Sequence, residues 1–245
     1  MNASEKVNFI SNWIKDYVND MPTKAQSLVI GISGGIDSYV SSTLSAMTGL
    51  KTIVLSMPIK QKSQQHDLSL KHQEWLVKKF KNVEAHTINL DELFSAFSSS
   101  LSKFDNEHGM ANSRARLRMT TLYQVAAANK GIVVGTGNKV EDFGVGFYTK
   151  YGDGGVDISP IADCNKSEVW EIGKELGILN EIIEAAPTDG LWDDGRTDEG
   201  QLGLKYHELE EAMDNLNSPN RTKYETIIKQ NLHKMEPIPV CKIPN

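Results

Sequence analysis

The sequence predicts an α/β fold: a parallel β-sheet covered by helices on both faces. Two observations carry this. Four short apolar runs rich in β-branched residues, "SLVIGIS", "TIVLSMP", "VEAHTINL" and "GIVVGT", recur within the first 136 residues, each bounded by turn residues. The segments between them are long enough for helices, and strands that alternate with helices specify parallel strands with crossover connections. A third observation says where a ligand would sit. The first run ends in the glycine-rich turn "SGGIDS", at the carboxyl end of a strand, where sheets of this kind bind their ligands.

The chain opens with Val7, Ile10, Ile14 and Tyr17 at helical spacing, which predicts an amphipathic helix with those four residues facing inward. Helices are expected over 38–48, 64–80 and 91–129, giving a Rossmann-like layout. After residue 136 the texture changes. "GNKVEDFGVGFYTKYGDGGVDISP" is glycine-rich and polar, and loops of that length are often functional. A helix follows from Lys166, with Asn165 as its cap and Glu168 in its first turn. "APTDGLWDDGRTDEGQLG" is a second long loop, and two helices finish the chain. Residues 188–201 hold turn signals and little apolar content, so they are expected to close over ligands. At 39% hydrophobic and 24% charged residues, residues 1–245 read as one globular domain.

The net charge of −6 disfavours a general nucleic-acid binder. Between Pro187 and Asp214 nine acidic residues face only Arg196 and Lys205. That stretch therefore carries −7 and the remainder about +1. Three of the five arginines sit together in "SRARLRM", which leaves room for a local cationic site for an anionic small molecule. No apolar run approaches the roughly 20 residues of a membrane span, and "MNASEKVNFI" is not a secretory signal. Two cysteines, Cys164 and Cys241, without metal-type spacing, read as reduced thiols of a cytoplasmic protein.

The turn after the first strand carries its own chemistry. Gly31, Gly34 and Gly35 followed by a helix from Asp37 direct backbone N–H groups and the positive end of a helix dipole at one point, which suits a phosphate. The spacing is not the common GxxxxGK[ST] loop, and no lysine follows the glycines. Asp37 would repel phosphate oxygens unless a divalent cation lay between them, and Mg2+ takes one or two carboxylates together with phosphate oxygens. The aspartate therefore marks a metal–phosphate site. Glu141, five residues past Thr136 and just after a predicted strand end, faces the same cleft on this reading. Lys150 or Lys166 could supply the cation that the loop lacks. Arg114 and Arg118 share a helical face, whereas Arg116 points about 200° away from Arg114, so one anion cannot take all three. Arg114 and Arg118 are left as salt-bridge partners. His66, His72, His86 and His108 show no ligand spacing.

The strand–"SGGIDS"–helix string resembles the pyrophosphate loop of the N-type ATP pyrophosphatases, whose fold is adenine nucleotide alpha hydrolase-like. "ANSRARLRM", "GTGNKVEDFGVGFYTKYGDGGVDISPIADCNKSEV", "APTDGLWDD", "TDEGQLGLKYHEL" and the terminal "HK" before a proline-rich tail resemble, in order over nearly the whole chain, the ammonia-dependent NAD synthetases. The resemblance implies a ligase that adenylates the nicotinate carboxylate of deamido-NAD with ATP and amidates it with ammonia. It also implies a homodimer with the dinucleotide near the subunit interface, and no glutaminase domain. Carried over residue by residue, Gly31, Ile32, Ser33, Gly34, Gly35, Ile36, Asp37 and Ser38 bind ATP phosphates, joined by Thr136, Lys166 and Thr188. Asp37 and Glu141 hold Mg2+. Arg116, Lys150, Asp157, His233 and Lys234 hold deamido-NAD, and Asp37, Asp153 and Lys166 are the catalytic candidates. Either Asp153 or Asp157 could orient ammonium and accept its proton.

One departure stands out. Many family members carry an arginine after "SMP", whereas this chain has "IKQKSQQ", leaving Lys62 or Ser63 as its replacement. Two other readings remain: a different ATP pyrophosphatase, GMP-forming or tRNA-modifying, and a nucleotide-binding sensor without chemistry. A tRNA thiolase would usually display paired cysteines and a basic surface. A sensor would not require the second carboxylate.

Overall fold

The structure, a computed structural model, describes residues 1–60, 63–185, 187–188, 190–192 and 196–244. The four predicted runs become four strands: β1 (Ser27–Gly31), β2 (Lys51–Ser56), β3 (Val83–Thr87) and β4 (Gly131–Val133). They form one parallel sheet in the order β3-β2-β1-β4. Alternate residues enter opposite layers, as the twofold period of a strand requires. Leu28, Ile30, Val54 and Ile132 face one layer, and Val29, Ile53, Leu55 and Val133 the other. Strands covered on both faces read as continuous apolar runs. At the sheet edge this fails: β3 exposes Glu84, His86 and Thr87.

Helices α1 (Ala3–Asp20), α2 (Ile36–Met47), α3 (Ser63–Lys79) and α6 (Lys166–Leu176) cover the first face. The second is covered by α4 (Asp91–Ser100) and α5 (Glu107–Ala128). The C-terminal part holds α7 (Asn180–Ile183), α8 (Asp198–Leu202), α9 (Tyr206–Asp214) and α10 (Arg221–Met235). Helices α8 to α10 close a third apolar cluster around Tyr206, Leu209 and Tyr224 against a π-helical turn, Lys139–Val145.

Two expectations need correction. Val7, Ile10 and Ile14 are buried in α1, but Tyr17 is 41% exposed and Val18 is buried in its place. Four residues past Ile14 is 400°, only 40° off its direction, while three residues falls 60° short, so Val18 lies nearer the buried stripe. Tyr17 instead meets Trp13 on the outer face, with ring centroids 5.7 Å apart. The helical stretch expected over 91–129 is two helices. Between them lie a 3-10 turn at Ser102–Phe104 and Asn106, whose side chain caps α5 by accepting from the Gly109 N–H at 2.8 Å. Helix α6 starts at Lys166 as predicted, with the reciprocal Asn165–Glu168 capping box. Among the described residues no helix is long and apolar enough to cross a membrane.

The strand order reverses between β1 and β4, so a crevice opens at their carboxyl ends. The glycine loop, Asp37, Glu141 and Lys166 converge there.

Candidate active site

The loop leaving β1 is shaped by Gly34, at φ +110°, a conformation natural to glycine. It is pinned by its own hydroxyls. Ser38 Oγ donates to the Gly35 carbonyl at 2.9 Å and accepts from the Ser33 N–H at 3.2 Å, and the Gly35 N–H donates to Ser33 Oγ at 3.2 Å. Helix α2 starts directly afterwards with Gly35 at its N-cap and no side-chain cap, which leaves first-turn N–H groups for an anion.

The loop leaving β4 is tied to the first by Asn138, which is fully buried. Its Oδ1 accepts from the N–H groups of Val140 and Glu141, both at 3.0 Å, and its Nδ2 donates to Asp37 Oδ1 at 3.1 Å. Gly137 is required beside it, because a Cβ there would lie 1.9 Å from Asp142 Oδ2.

Three charges meet in the crevice. Lys166 Nζ, on the first residue of α6, donates to Asp37 Oδ2 at 2.6 Å and to Glu141 Oε1 at 2.8 Å. The Tyr206 hydroxyl lies 2.5 Å from the same Glu141 oxygen and 3.3 Å from Asp198 Oδ2, so its single proton goes to Glu141. Burial raises the Asp37 carboxyl above its ordinary range, against the pull of Lys166 and with a further push from Glu141. Burial pushes Glu141 the same way. There the Lys166 charge and hydrogen bonds from Lys166, Tyr206 and Asn138 outweigh it, leaving that carboxyl lowered. Burial works against the Lys166 ammonium, but the two carboxylates more than offset it and raise its pKa, so it stays charged. Burial, then Glu141 and Asp198, hold the Tyr206 phenol far above its ordinary value, so it remains a donor.

Of the expected residues, Gly31, Ile32, Ser33, Gly35, Asp37, Thr136, Glu141, Asp153, Lys166 and Thr188 line one cavity. Its remaining wall includes Met57, Met119, Leu122 and Leu191, so a polar end with converging donors adjoins an apolar end. Gly34, Ile36 and Ser38 stand behind this lining. Ile36 is buried in the core, with its Cδ1 turned toward Gly173, so only its backbone faces the loop. The residues expected to hold a dinucleotide lie elsewhere, around the loop at 148–157. Arg116 Nε donates to the Lys150 carbonyl at 3.2 Å. Lys234 Nζ donates to the Tyr148 carbonyl, and the Tyr148 hydroxyl to the Lys234 carbonyl, each at 2.6 Å. His233 is exposed beside it. The Asp157 carboxylate accepts from the Val133 N–H at 2.7 Å and from the Tyr123 hydroxyl at 3.0 Å, closing the end of β4. Asp153 accepts from the Thr149 N–H at 3.0 Å.

Arg114 donates to the Leu191 carbonyl at 2.8 Å. Arg118 donates to the Met57 carbonyl at 3.0 Å and lines the cavity. Of the two candidates to replace the family arginine, Lys62 lies outside the described residues and Ser63 enters only as the first residue of α3. In the segment expected to close, 189 and 193–195 also lie outside them.

Sequence reasoning missed Asn138, Asp142, Asp198 and Tyr206. Asn138 had a readable signal: Asn followed three residues later by Glu141 is the capping-box pattern. Asp142 also lines the cavity, and burial, with Asp153, Glu141 and Asp37 adding to it, holds its carboxyl well above the ordinary range. Tyr206 had no local signal, since "KYHELEE" reads only as an amphipathic helix.

A parallel sheet with a glycine loop, an open helix N-terminus and a bridged carboxylate pair at its switch point defines a nucleotide-dependent α/β enzyme of the adenine nucleotide alpha hydrolase-like fold. Residues 6–243 match the family described as NAD synthase. The NH(3)-dependent NAD(+) synthetase of Carboxydothermus hydrogenoformans is 36% identical over 218 residues, covering 87% of this chain and 86% of that one. That of Finegoldia magna is 34% identical over 236 residues, covering 96% and 94%. A solved structure described as NMN synthetase from Francisella tularensis superimposes with a TM-score of 0.89 at 33% identity, covering 100% of this chain and 99% of that one. The chain belongs to the NAD synthase family.

Proposed function

We propose that the chain is an ammonia-dependent NAD synthetase, a ligase that joins the nicotinate carboxylate of deamido-NAD to AMP and then to ammonia. The observation that carries this is the meeting of Asp37, Glu141 and Lys166 beside the glycine loop, in a chain of this family.

A carboxylate is a poor acceptor for ammonia, because its charge repels the nucleophile and oxide does not leave. In the first step a carboxylate oxygen bonds to the α-phosphorus of ATP and the bond to pyrophosphate breaks. Ser33–Ser38 and the N-terminus of α2 hold the departing pyrophosphate through backbone N–H groups. In the second step ammonia attacks the acyl carbon and AMP leaves with the carboxylate oxygen. Lys166 supplies the cation the loop lacks, and Thr136 and Thr188 meet ATP beside it. The apolar wall around Met57, Met119 and Leu122 suits an adenine ring.

Asp37 and Glu141 would hold Mg2+, which neutralises the phosphate oxygens when bound. The donor set fits it. Two carboxylates converge on one point already held by a cation, and all donors are oxygen.

Asp153 is the better acceptor for the ammonium proton. It lines the cavity, whereas Asp157 is not part of that lining and closes the end of β4. Arg116, Lys150, Asp157, His233 and Lys234 take deamido-NAD. Their position around 148–157, away from the cavity lining, supports a dinucleotide reaching toward a second copy in a homodimer. A single synthetase domain over residues 1–245, working in the cytoplasm, completes the proposal.

The test uses oxygen-18 in the nicotinate carboxylate, with ATP, Mg2+ and ammonium. One labelled atom per turnover should appear in AMP. Label in pyrophosphate, or ADP and phosphate as products, would overturn the mechanism.

A second reading takes nicotinate mononucleotide as the carboxylate substrate. It is favoured by the match over the whole chain to the Francisella tularensis protein described as NMN synthetase. Comparing kcat/KM for the mononucleotide and for deamido-NAD decides between them.

A further inference from the structure

We propose that Lys166 holds the cation position between Asp37 and Glu141 and yields it to a divalent cation only when nucleotide phosphate offers the ammonium another partner. Metal and nucleotide then enter together. The identities of metal and nucleotide rest on the function proposed above.

Three observations carry the exchange. The first is competition for the same atoms. Lys166 Nζ bridges Asp37 Oδ2 and Glu141 Oε1 at 2.6 and 2.8 Å, and its side chain is 1% exposed. A hard divalent cation held by these two carboxylates would compete with the ammonium for them. Two cations a few ångströms apart in so buried a place repel strongly, so one must leave.

The second is an alternative partner. Lys166 is the first residue of α6, at the positive end of the helix, where a lysine is misplaced and an anion is favoured. The same crevice holds the open N-terminus of α2 and the loop from Ser33. A phosphate drawn there would offer the ammonium a new counter-charge in the same cavity. The Asn165–Glu168 capping box keeps the backbone of α6 fixed meanwhile.

The third is that both carboxylates are held without Lys166. Asn138 Nδ2 holds Asp37 through Oδ1 at 3.1 Å, and the Tyr206 hydroxyl holds Glu141 at 2.5 Å. The Glu141 N–H is itself fixed on Asn138 Oδ1 at 3.0 Å. The ligand pair therefore keeps its place while the cation changes.

The experiment is titration with Mn2+, following free metal by electron paramagnetic resonance. Without nucleotide, wild-type protein should bind Mn2+ weakly and Lys166→Met at least tenfold more tightly, and adding Asp37→Asn to Lys166→Met should abolish the gain. A non-hydrolysable ATP analogue should raise Mn2+ affinity at least tenfold in wild type and much less in Lys166→Met. Equal Mn2+ affinity of wild type and Lys166→Met without nucleotide would overturn the proposal. Should Lys166→Met fail to fold, Lys166→Arg keeps the charge and bridges carboxylates with a fork that releases them less readily. Its Mn2+ affinity with the analogue should fall at least tenfold, and an unchanged value would overturn the exchange. Failure of the synthetase reading would show separately, as no pyrophosphate released by wild type, and leaves the Mn2+ titrations readable.

Discussion

Asp37→Asn keeps the size of the side chain and removes its charge, and the structure separates its effect on folding from its effect on rate. Asp37, Glu141 and Lys166 together carry one excess negative charge in the crevice. Neutralising Asp37 brings that balance to zero, and Lys166 keeps Glu141 at 2.8 Å. Burial already raises the Asp37 carboxyl, so its ionised form is not what the fold favours. The expected loss of stability is within about 1 kcal/mol. Activity should suffer more, because the phosphates lose the charge that positions their cation: kcat falls tenfold or further, about 1.4 kcal/mol or above. Glu141→Gln should fall as far in rate and cost more stability, because its lowered carboxyl shows that the fold favours the charged form. Lys166→Met is the contrast. It leaves two adjacent carboxylates without their cation, which costs on the order of 3–5 kcal/mol in buried pairs. Initial rates of pyrophosphate release against Mg2+, together with urea denaturation of each variant, measure both quantities. Near-normal kcat for Asp37→Asn at moderate Mg2+ removes Asp37 from the metal site. A stability loss for Asp37→Asn as large as that of Lys166→Met would refute the charge argument itself.

Residues 1–245 should turn over with ammonium salts and not with glutamine alone, since a glutaminase needs its own activated nucleophile and the synthetase match takes up residues 6–243. Efficient use of glutamine by the pure protein would contradict this. His72 provides a pH prediction. It is fully buried, with its Nε2 3.0 Å from Ser42 Oγ and its ring against Tyr39 and Trp75. Burial pushes the imidazole down to about 3, from an ordinary 6.5. The unfolded chain therefore takes up a proton that the fold refuses. The stability is fully present above about pH 6.5 and is lost as pH falls toward 3, with up to about one proton of extra slope. His72→Asn should lose that part of the slope in urea denaturation, and parallel profiles for the two proteins would refute it.

The sheet was legible because strands buried on both faces must be largely apolar, as β1, β2 and β4 are, and these with the edge run of β3, separated by helix-length segments, leave little choice of topology. Helix boundaries were less legible where the deciding signal was one side chain. Asn106 splits the stretch expected over 91–129 through a single bond to Gly109, and a difference of one residue in the stripe moves burial from Tyr17 to Val18. The candidate site divides along the same line. Asp37 could be found because a carboxylate in an anion-binding turn is a local contradiction, and contradictions of that kind mark function.

What balances the contradiction could be narrowed from the sequence only to Lys150 or Lys166, and its geometry could not be read locally. Lys166 lies 129 residues from Asp37 and 25 from Glu141, and Tyr206 lies 65 residues from Glu141. Their sequence contexts announce only a helix start and an amphipathic stripe. Such partners are chosen by the fold: α6 packs against α2, which brings the first residue of one helix onto the first turn of the other. Two helix N-termini, each favouring an anion, thus meet in one crevice beside two carboxylates and one ammonium. A phosphate arriving there gains the open end of α2 and the lysine, since the first turn of α6 already donates to Glu210, but only if a second cation takes over the carboxylates. On the exchange proposed above, a metal would travel with its nucleotide.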